Sequence, residues 1–250
     1  MTTINSPVPF SLTWPTGQQS LAIRTDANFD PARLAKMLQI PIPTRLLMLS
    51  GGAGDMSLES HQKLKRLFQA IAEVLAATQT TVIDGGTKFG AVSLLGEALA
   101  HTHYAAPYIG VLPAHAETSP NGPKGEEVLE PHHSHFVLIE GKEWGEEVRL
   151  MYGLADYFSR QATSVALLVN GGSISLKEVE QNVQQHREII IIAGSGRLAD
   201  ELAAAVHQPQ AAMRDRVATV VRAGKLTIFD LSQPVETLAT LLKQRLKSKA

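Results

Sequence analysis

The sequence predicts an α/β fold with a mainly parallel, doubly wound sheet and helices on both of its faces. Short apolar, β-branched segments alternate with amphipathic segments of helical period along most of the chain. Such alternation favours right-handed crossovers and therefore a mainly parallel sheet. The β-branched runs at 81–83 and 188–193 have the composition of strands that are buried on both faces.

The length and composition of the chain restrict the number of domains and the possible functions. The 250 residues are enough for one large α/β domain or two small ones, and 44% hydrophobic with 19% charged residues is ordinary for a soluble globular protein. We expect an N-terminal arm at 1–19 and one domain at 20–250. The net charge of −1, without a Lys/Arg block, argues against nucleic-acid binding. Cysteine is absent, which excludes disulfides and thiolate chemistry.

The termini and apolar runs predict a cytoplasmic location. The first residues lack the basic and apolar regions of a signal peptide. The longest apolar runs are far shorter than the ~20 residues that span a bilayer. We therefore expect a soluble, cytoplasmic protein without a membrane segment.

The first half of the chain contains the clearest elements. Asp30 is suited to cap a short helix, with Pro31 at its first position. Helical periodicity in the next segment places Leu64, Leu67 and Phe68 on an inward face. The predicted strands are at 10–14 (an edge strand), 21–24, 45–50, 81–83 and 108–112, and the predicted helices are at 31–37, 57–77 and 89–99. The stretch 114–135 has no periodicity, and a segment of this length is more often functional than a plain connection.

The second half repeats the alternation. Predicted strands lie at 136–140, 164–170, 188–193 and 226–229. Predicted helices lie at 145–159, from 173 through 183, from 197 to about 206, and at 234–247, the last with basic residues in its final turns.

Glycine-rich turns follow four of the predicted strands, as GGAGD, DGGTK, NGGS and GSGR. In a parallel sheet these turns lie at the carboxyl edge, where ligands bind. Backbone N–H groups at the start of the following helices favour an anion such as phosphate. None of the turns matches the P-loop pattern or the dinucleotide-binding G-x-G-x-x-G pattern with its distant acid.

The four turns and their flanking segments resemble the SLOG superfamily, in its branch related to the N-terminal homology region of melastatin-type TRP (TRPM) channels. The likeness covers most of the chain, from about residue 21 to 202, and we expect no channel segment. It rests on SGGAG (50–54), IDGGTKFGAVSLLGEAL (83–99), IGVL (109–112), LEPHHSHFVLI (129–139), GKEWGEEV (141–148), VNGGS (169–173) and AGSGRLAD (193–200).

The resemblance implies a Rossmann-like sheet that binds a nucleotide-derived molecule such as ADP-ribose, cyclic ADP-ribose or an NAD-like compound, as a ligand sensor. A sister branch, the Lonely Guy phosphoribohydrolases, cleaves the N-glycosidic bond of a nucleoside monophosphate and carries a PGGxGTxxE turn. Here the proline and the G-T pair are missing, although Glu178 occupies the position of the final acid.

Ligand-binding residues are expected mainly in the turns. Small residues allow a ligand to approach the backbone, and the alternative for each turn is a tight turn alone. Lys88 would add a point charge, or be a solvated lysine. Arg197 offers a bidentate fork to a diphosphate, or pairs with Asp200 or Glu201 on its helix. The turn positions expected to contact the ligand are Gly51, Gly52, Ala53, Gly54, Gly85, Gly86, Thr87, Gly171, Gly172, Ser173, Gly194, Ser195, Gly196 and Arg197.

Further candidates lie between the turns. Trp144 is expected to stack on adenine or a ribose edge, or to pack at a helix start. Glu147 would bind a ribose hydroxyl or complement the helix dipole, and Arg149 would replace an arginine that ADP-ribose-binding relatives carry slightly further along. We expect His135 to orient its loop or touch the ligand. The pattern H-H-x-H at 132–135 is a weak metal signal, so we predict no metal site.

Three functions follow from these residues. The first is a nucleotide-binding sensor without turnover. The second is a nucleotide N-glycosidase in which Glu178 or Glu147 stabilises an oxocarbenium-like centre or activates water. The third is a partner-binding subunit with a vestigial cleft. The oligomeric state stays open, since the family often forms homodimers and the helix at 145–159 or the C-terminal helix would supply the surface.

Overall fold

Alternating strands and helices make up the part of the chain that the structure describes. This structure is a computed structural model, and it describes residues 7–52, 58–116, 129–141, 143–208 and 213–247. Its strands are β1 (Phe10–Thr13), β2 (Gln19–Thr25), β3 (Arg45–Gly51), β4 (Thr81–Asp84), β5 (Tyr108–Pro113), β6 (His135–Ile139), β7 (Thr163–Val169), β8 (Glu188–Ala193) and β9 (Leu226–Asp230). Its helices are α1 (Pro31–Met37), α2 (Leu58–Thr78), α3 (Gly90–Leu99), α4 (Val148–Ser159), α5 (Ser173–Gln184), α6 (Arg197–His207), α7 (Asp215–Ala223) and α8 (Val235–Arg245).

The strands form one sheet in the order β1-β2-β6-β5-β4-β3-β7-β8-β9. Only the edge pair β1 and β2 is antiparallel among these strands, and the other neighbours are parallel. The predicted Rossmann-like, mainly parallel α/β architecture is therefore confirmed. The pairing of β1 also means that residues 10–13 of the expected N-terminal arm form an edge of the sheet.

Successive residues of β3 show how the two faces are filled. Leu46 and Met48 belong to one core, which is covered by α1, α4, α5, α6 and α7. Leu47 and Leu49 belong to the opposite core, which is covered by α2, α3 and α8. Because side chains alternate along a strand, these two cores lie on opposite faces of the sheet.

The sequence locates most of these elements within a few residues, and local chemistry explains why. The Asp30 carboxylate accepts the Arg33 amide at 2.7 Å, as a helix N-cap does. The inward residues of α2 form part of the second core. Helix α4, however, begins at Val148 rather than at residue 145. Helix α7 is absent from the prediction.

Phe89 corrects the predicted start of the helix at 89–99. It has extended backbone angles as the residue before that helix, and its side chain is 47% exposed. The helical period therefore starts one residue later, and Phe89 is free to project from the turn.

The chain changes direction across the sheet at β3. From β3 it proceeds through β4 and β5 to β6 on one side, and it then returns to β7, which pairs with the other side of β3. The helix after β3 packs on one face and the helix after β7 on the other. Such a reversal opens a crevice at the carboxyl ends of the two strands.

None of the helices in the described part of the chain combines the length and the apolar character that a bilayer crossing needs.

Candidate functional site

A cleft of about 140 Å³ opens at this reversal. Its walls come from the turns after β3 and β4, the segment before α4, and the first turns of α3 and α5. Residues from distant parts of the chain therefore meet here. They are Leu49, Gly51, Gly52, Gly85, Thr87, Phe89, Val92, Trp144, Glu147, Ile174, Ser175 and Glu178.

Two buried carboxyl groups line the cleft. Glu147 is 3% exposed and accepts the Gly145 amide at 2.7 Å, and Glu178 is 7% exposed. Burial raises the pKa of both. For Glu178, the negative charges of Glu147 and Asp84 add to the effect of burial, and its pKa is raised to about 8. At neutral pH, Glu178 therefore holds a proton while facing an open cavity.

A chain of polar groups extends from Glu178 into the protein. Ser50 contacts its carboxyl group and lies 3.2 Å from the Tyr152 hydroxyl. The Tyr152 hydroxyl accepts the Asn182 amide at 3.0 Å, and Asn182 in turn accepts the guanidinium of buried Arg187 at 2.7 Å. These contacts fix the wall on which Glu178 stands.

Aromatic side chains form the outer part of the cleft. Phe89 is 47% exposed at the lip, and Trp144 is half-buried against the edge of His115, with ring centroids 5.7 Å apart.

Arg197 reaches the cleft from the fourth glycine turn. A Cβ atom added to Gly172 would lie 2.8 Å from its Nη2 atom, and one added to Gly52 would lie 3.6 Å from its Nη1 atom. The exposed guanidinium therefore lies over the backbone of two other turns. A planar cation at this point suits a phosphate bound across the turns.

The amides of the fourth turn differ from the expected phosphate nest. The Gly194 amide donates to the Asp200 carboxylate at 2.6 Å, and the Ser195 hydroxyl donates to the Ile192 carbonyl and accepts the Asn170 amide. The first amides of α6 donate to the carbonyls of Asn170 and Gly171. These groups hold the third and fourth turns together, so we assign Gly194 and Ser195 to the framework. Gly196 packs against the Asn170 side chain, since an added Cβ would lie 2.9 Å from its amide nitrogen.

Gly86 also has a structural role instead of the expected phosphate contact. Its amide donates to Asp84 at 2.8 Å, and its φ is +64°. A Cβ here would lie 2.9 Å from Gly110 Cα. Its neighbour Gly85 lines the cleft, and a Cβ added there meets nothing within 4 Å.

A buried ionic network lies beneath this second turn. His133 donates to Asp84 and to Glu130, each at 2.8 Å, and Tyr108 donates to Asp84 at 2.8 Å. All four residues are at most 1% exposed. Burial lowers the pKa of His133, but the two carboxylates outweigh it and raise this pKa to about 9. Both ring nitrogens therefore carry protons and donate.

The network fixes the position of the second turn. The Glu130 amide donates to the Gly86 carbonyl at 2.9 Å, and Thr87 forms an isolated bridge with Leu129. Gly96 on α3 leaves room for the Glu130 carboxylate, which an added Cβ would meet at 2.3 Å. The segment that carries the predicted histidines thus anchors the wall of the cleft.

Other predicted residues lie away from the cleft. His135 begins β6 at the amino end of the strand and pairs with Leu21 and Ile109, so it lies at the opposite edge of the sheet. We therefore exclude His135 from the candidate site. Lys88, Arg149 and Ser173 are exposed and do not line the cleft, and Gly171 is packed against Ser175. Ala53 and Gly54 lie outside the described residues.

Among the residues that the structure describes, no group of three or more His, Asp or Glu side chains could hold a metal ion.

The sequence analysis missed the framework residues Asp84, Glu130, Tyr152 and Asn182, and the lip residue Phe89. Each of them acts through a partner that is distant along the chain. One signal was available, since Asp84 ends a buried strand directly before two glycines and a buried aspartate requires a donor.

Most of the chain matches a known protein family. A family model described as SLOG in TRPM, prokaryote, matches residues 44–239, well over half of the chain. The chain belongs to this family. The match begins at residue 44, after α1, whereas the likeness stated from the sequence begins at about residue 21, and the match continues into α8.

Animal channels contain regions similar to this SLOG domain. Transient receptor potential cation channel subfamily M member 2 of Rattus norvegicus is 23% identical over 203 residues, covering 66% of this chain and 13% of the channel. The subfamily M member-like 2 channel of Nematostella vectensis is 23% identical over 217 residues, covering 70% and 14%. Subfamily M member 6 of Homo sapiens is 25% identical over 204 residues, covering 68% and 10%. The chain therefore corresponds to a small part of each channel.

Proposed function

We propose that this SLOG domain binds a nucleotide-derived ligand, such as ADP-ribose, cyclic ADP-ribose or NAD, in the cleft and acts as a sensor of it. One observation carries the proposal. Turns that follow β3 and β4 and the start of the helix after β7 line a common cavity at the reversal of the sheet, the usual location of nucleotides in such folds.

The chemistry of the cleft supports this assignment. Arg197 and the backbone of Gly52 and Gly172 offer a phosphate site at the rim. Glu147 and Glu178 offer acceptors and a donor to ribose hydroxyls, and Trp144 offers a face on which a ring can stack. The cavity is smaller than the ~300–1,000 Å³ of pockets that enclose whole ligands. One ring with its sugar therefore enters, and the phosphates lie across the turns.

Hydrolysis of an N-glycosidic bond is a second candidate, and the Glu147–Glu178 pair favours it. Two carboxyl groups whose pKa values differ in one cavity can divide the roles of stabilising charge and moving a proton. Water would form a C1′–O bond as the C1′–N bond breaks, and one proton of that water would leave with the base.

Isothermal titration with ADP-ribose, cyclic ADP-ribose, NAD and AMP tests binding, and chromatography of the same samples tests turnover. We expect saturable binding of at least one of these compounds with the compound recovered intact. Recovery of free base would replace the sensor by the hydrolase. Failure of all four compounds to bind would contradict both functions.

Replacement of Arg197 by Ala is expected to weaken binding by about 1.5–3 kcal/mol, since a charged hydrogen bond to phosphate is lost. Arg66→Ala, an exposed change on α2, serves as the control. An affinity of the Arg197→Ala variant equal to that of the control would remove Arg197 from the site.

A further inference from the structure

We infer that the cleft selects a positively charged ring, so that it takes a nucleotide whose ribose carries a cationic heteroaromatic base in preference to the neutral form. The inference rests on the proposed function and adds the charge of the group that enters the cavity. It is argued from the distribution of charge and of aromatic side chains around the cleft.

Acidic side chains are concentrated inside the cleft. Glu147 and Glu178 are lining residues that are more than nine-tenths buried, and Asp84 is close enough to act on Glu178 from behind. Within the described residues, neither of the two lining carboxyl groups has an ion pair, and the lining includes no lysine or arginine. The interior of the cleft is therefore acidic.

Positive charge is located at the margin. The Arg197 guanidinium lies over Gly52 and Gly172, and the exposed Lys177 ammonium lies beside Gly145, where an added Cβ would approach it to 2.9 Å. A phosphate inside the cleft would face two carboxyl groups, whereas at the rim it would meet these cations. This polarity orients a nucleotide with its phosphates outward and its other end inward.

The group that enters meets aromatic rings as well as carboxyl groups. Phe89 and Trp144 line the outer part of the same cavity. Aromatic faces attract cations, and the attraction is strongest for tryptophan and where water is excluded. A flat cationic ring satisfies both features, because it stacks on the aromatic side chains while its charge faces Glu147 and Glu178.

Release of the proton on Glu178 is a measurable consequence of the binding of a cationic ring. The groups that face Glu178 are Ser50 on β3, Asp84 on β4, Glu147 before α4 and Tyr152 within α4. Burial and the two acidic neighbours raise its pKa to about 8, so the free protein at pH 7 holds this proton. A cation within a few ångströms favours the ionised form, and binding of a cationic ring therefore releases a proton.

NAD⁺ and NADH are the probes that separate the alternatives. They share the diphosphate, both riboses and the adenine, and they differ in the charge and reduction of the nicotinamide ring. Titration at pH 7 in two buffers of different ionisation enthalpy yields the affinity and the number of protons released. We expect NAD⁺ to bind about tenfold more tightly than NADH and to release up to one proton, with none released by NADH.

Each outcome has a distinct meaning. Equal binding of NAD⁺ and NADH would overturn the cation preference and leave the proposed function intact, as would binding of ADP-ribose without NAD⁺. A preference for NAD⁺ without proton release would assign the discrimination to ring shape and would also overturn the inference. If NAD⁺, NADH and ADP-ribose all fail to bind, the proposed function falls together with it.

The isosteric variant Glu178→Gln is expected to reduce the preference for NAD⁺ to less than about threefold and to abolish proton release. Glu180→Gln, two residues further along α5 and paired with Arg216 outside the cleft, is the matched control. Glu147→Gln gives a second test, with an expected loss of preference alone. A full preference and full proton release in the Glu178→Gln variant would contradict the inference.

Discussion

Two groups of buried acids lie close enough for Asp84 of one group to act on Glu178 of the other, and they are satisfied in opposite ways. Asp84 and Glu130 share the imidazolium of His133, and the Tyr108 hydroxyl and backbone amides complete their hydrogen bonds. Glu147 and Glu178 face a cavity, and burial raises the pKa of both. The first group is closed to further partners and serves structure. The second is open to a partner that enters from outside.

This contrast separates two uses of buried charge. A carboxylate with its full set of donors stabilises the loop that it holds, whereas one that lacks a cation destabilises the free protein and gains from a ligand. The predictions below test whether the two groups differ in this way, beginning with the largest effect.

Replacement of His133 by Gln is expected to lower the free energy of unfolding by about 3–5 kcal/mol, because it leaves two carboxylates buried without their shared cation. Urea unfolding followed by circular dichroism measures the loss. His132→Gln changes the partly exposed histidine beside Glu130 and should cost about 1 kcal/mol or less. Similar losses in the two variants would show that the buried network is not the main support of the second turn.

Gly86 and Gly85 are neighbours in the second turn, but Gly86 is packed against the framework and Gly85 lines the cleft. Their alanine variants are therefore expected to differ. Gly86→Ala should destabilise the fold by roughly 2–3 kcal/mol, since the residue has a positive φ and lies against Gly110. Gly85→Ala should change stability by less than about 0.5 kcal/mol, because its Cβ points into open space, and it should weaken ligand binding instead. Thermal melts and ligand titrations of both variants measure these effects on stability and on binding. Equal destabilisation by the two substitutions would contradict the different roles of Gly86 and Gly85.

Glu178→Gln is expected to stabilise the free protein by about 3 kcal/mol at pH 7. The unfolded chain releases this proton near the ordinary value of 4.5, whereas the native state keeps it up to about pH 8. The free energy of unfolding therefore falls as pH rises from 4.5 to about 8. The variant avoids this fall because the glutamine amide does not ionise. The advantage should disappear towards pH 4.5. Glu73→Gln, an exposed change on α2, serves as the control. A Glu178→Gln variant that is less stable than the parent at pH 7 would contradict the prediction.

Much of the fold follows from local sequence. The Asp30–Pro31 start of α1, the inward face of α2 and the β-branched run of β8 are each encoded within a few turns or a single strand. Helix α7 is the exception, since a short helix of mixed polarity after an irregular segment gives a weak periodic signal.

The site was less predictable than the fold. The glycine turns predicted the edge of the sheet at which the cleft opens, and Glu147, Glu178 and Trp144 line the cleft there. Their ligand-binding roles stay predictions. The sequence gives no measure of which amides are already occupied, and so Gly86, Gly194 and Ser195 resembled phosphate donors although Asp84, Asp200 and Asn170 engage them. His135 was assigned from the family resemblance of its segment, but strand direction determines the edge of the sheet at which it lies.

The two walls of the cleft come from segments that are far apart in the sequence. One wall is complete when α3 has formed, but the other depends on α5, about eighty residues later along the chain. A chain in which only the first wall has folded therefore lacks the cavity. Any compound that binds in the cavity couples the two halves of the sheet. Such a compound would add its binding free energy to the cohesion of the whole domain, rather than to a single loop.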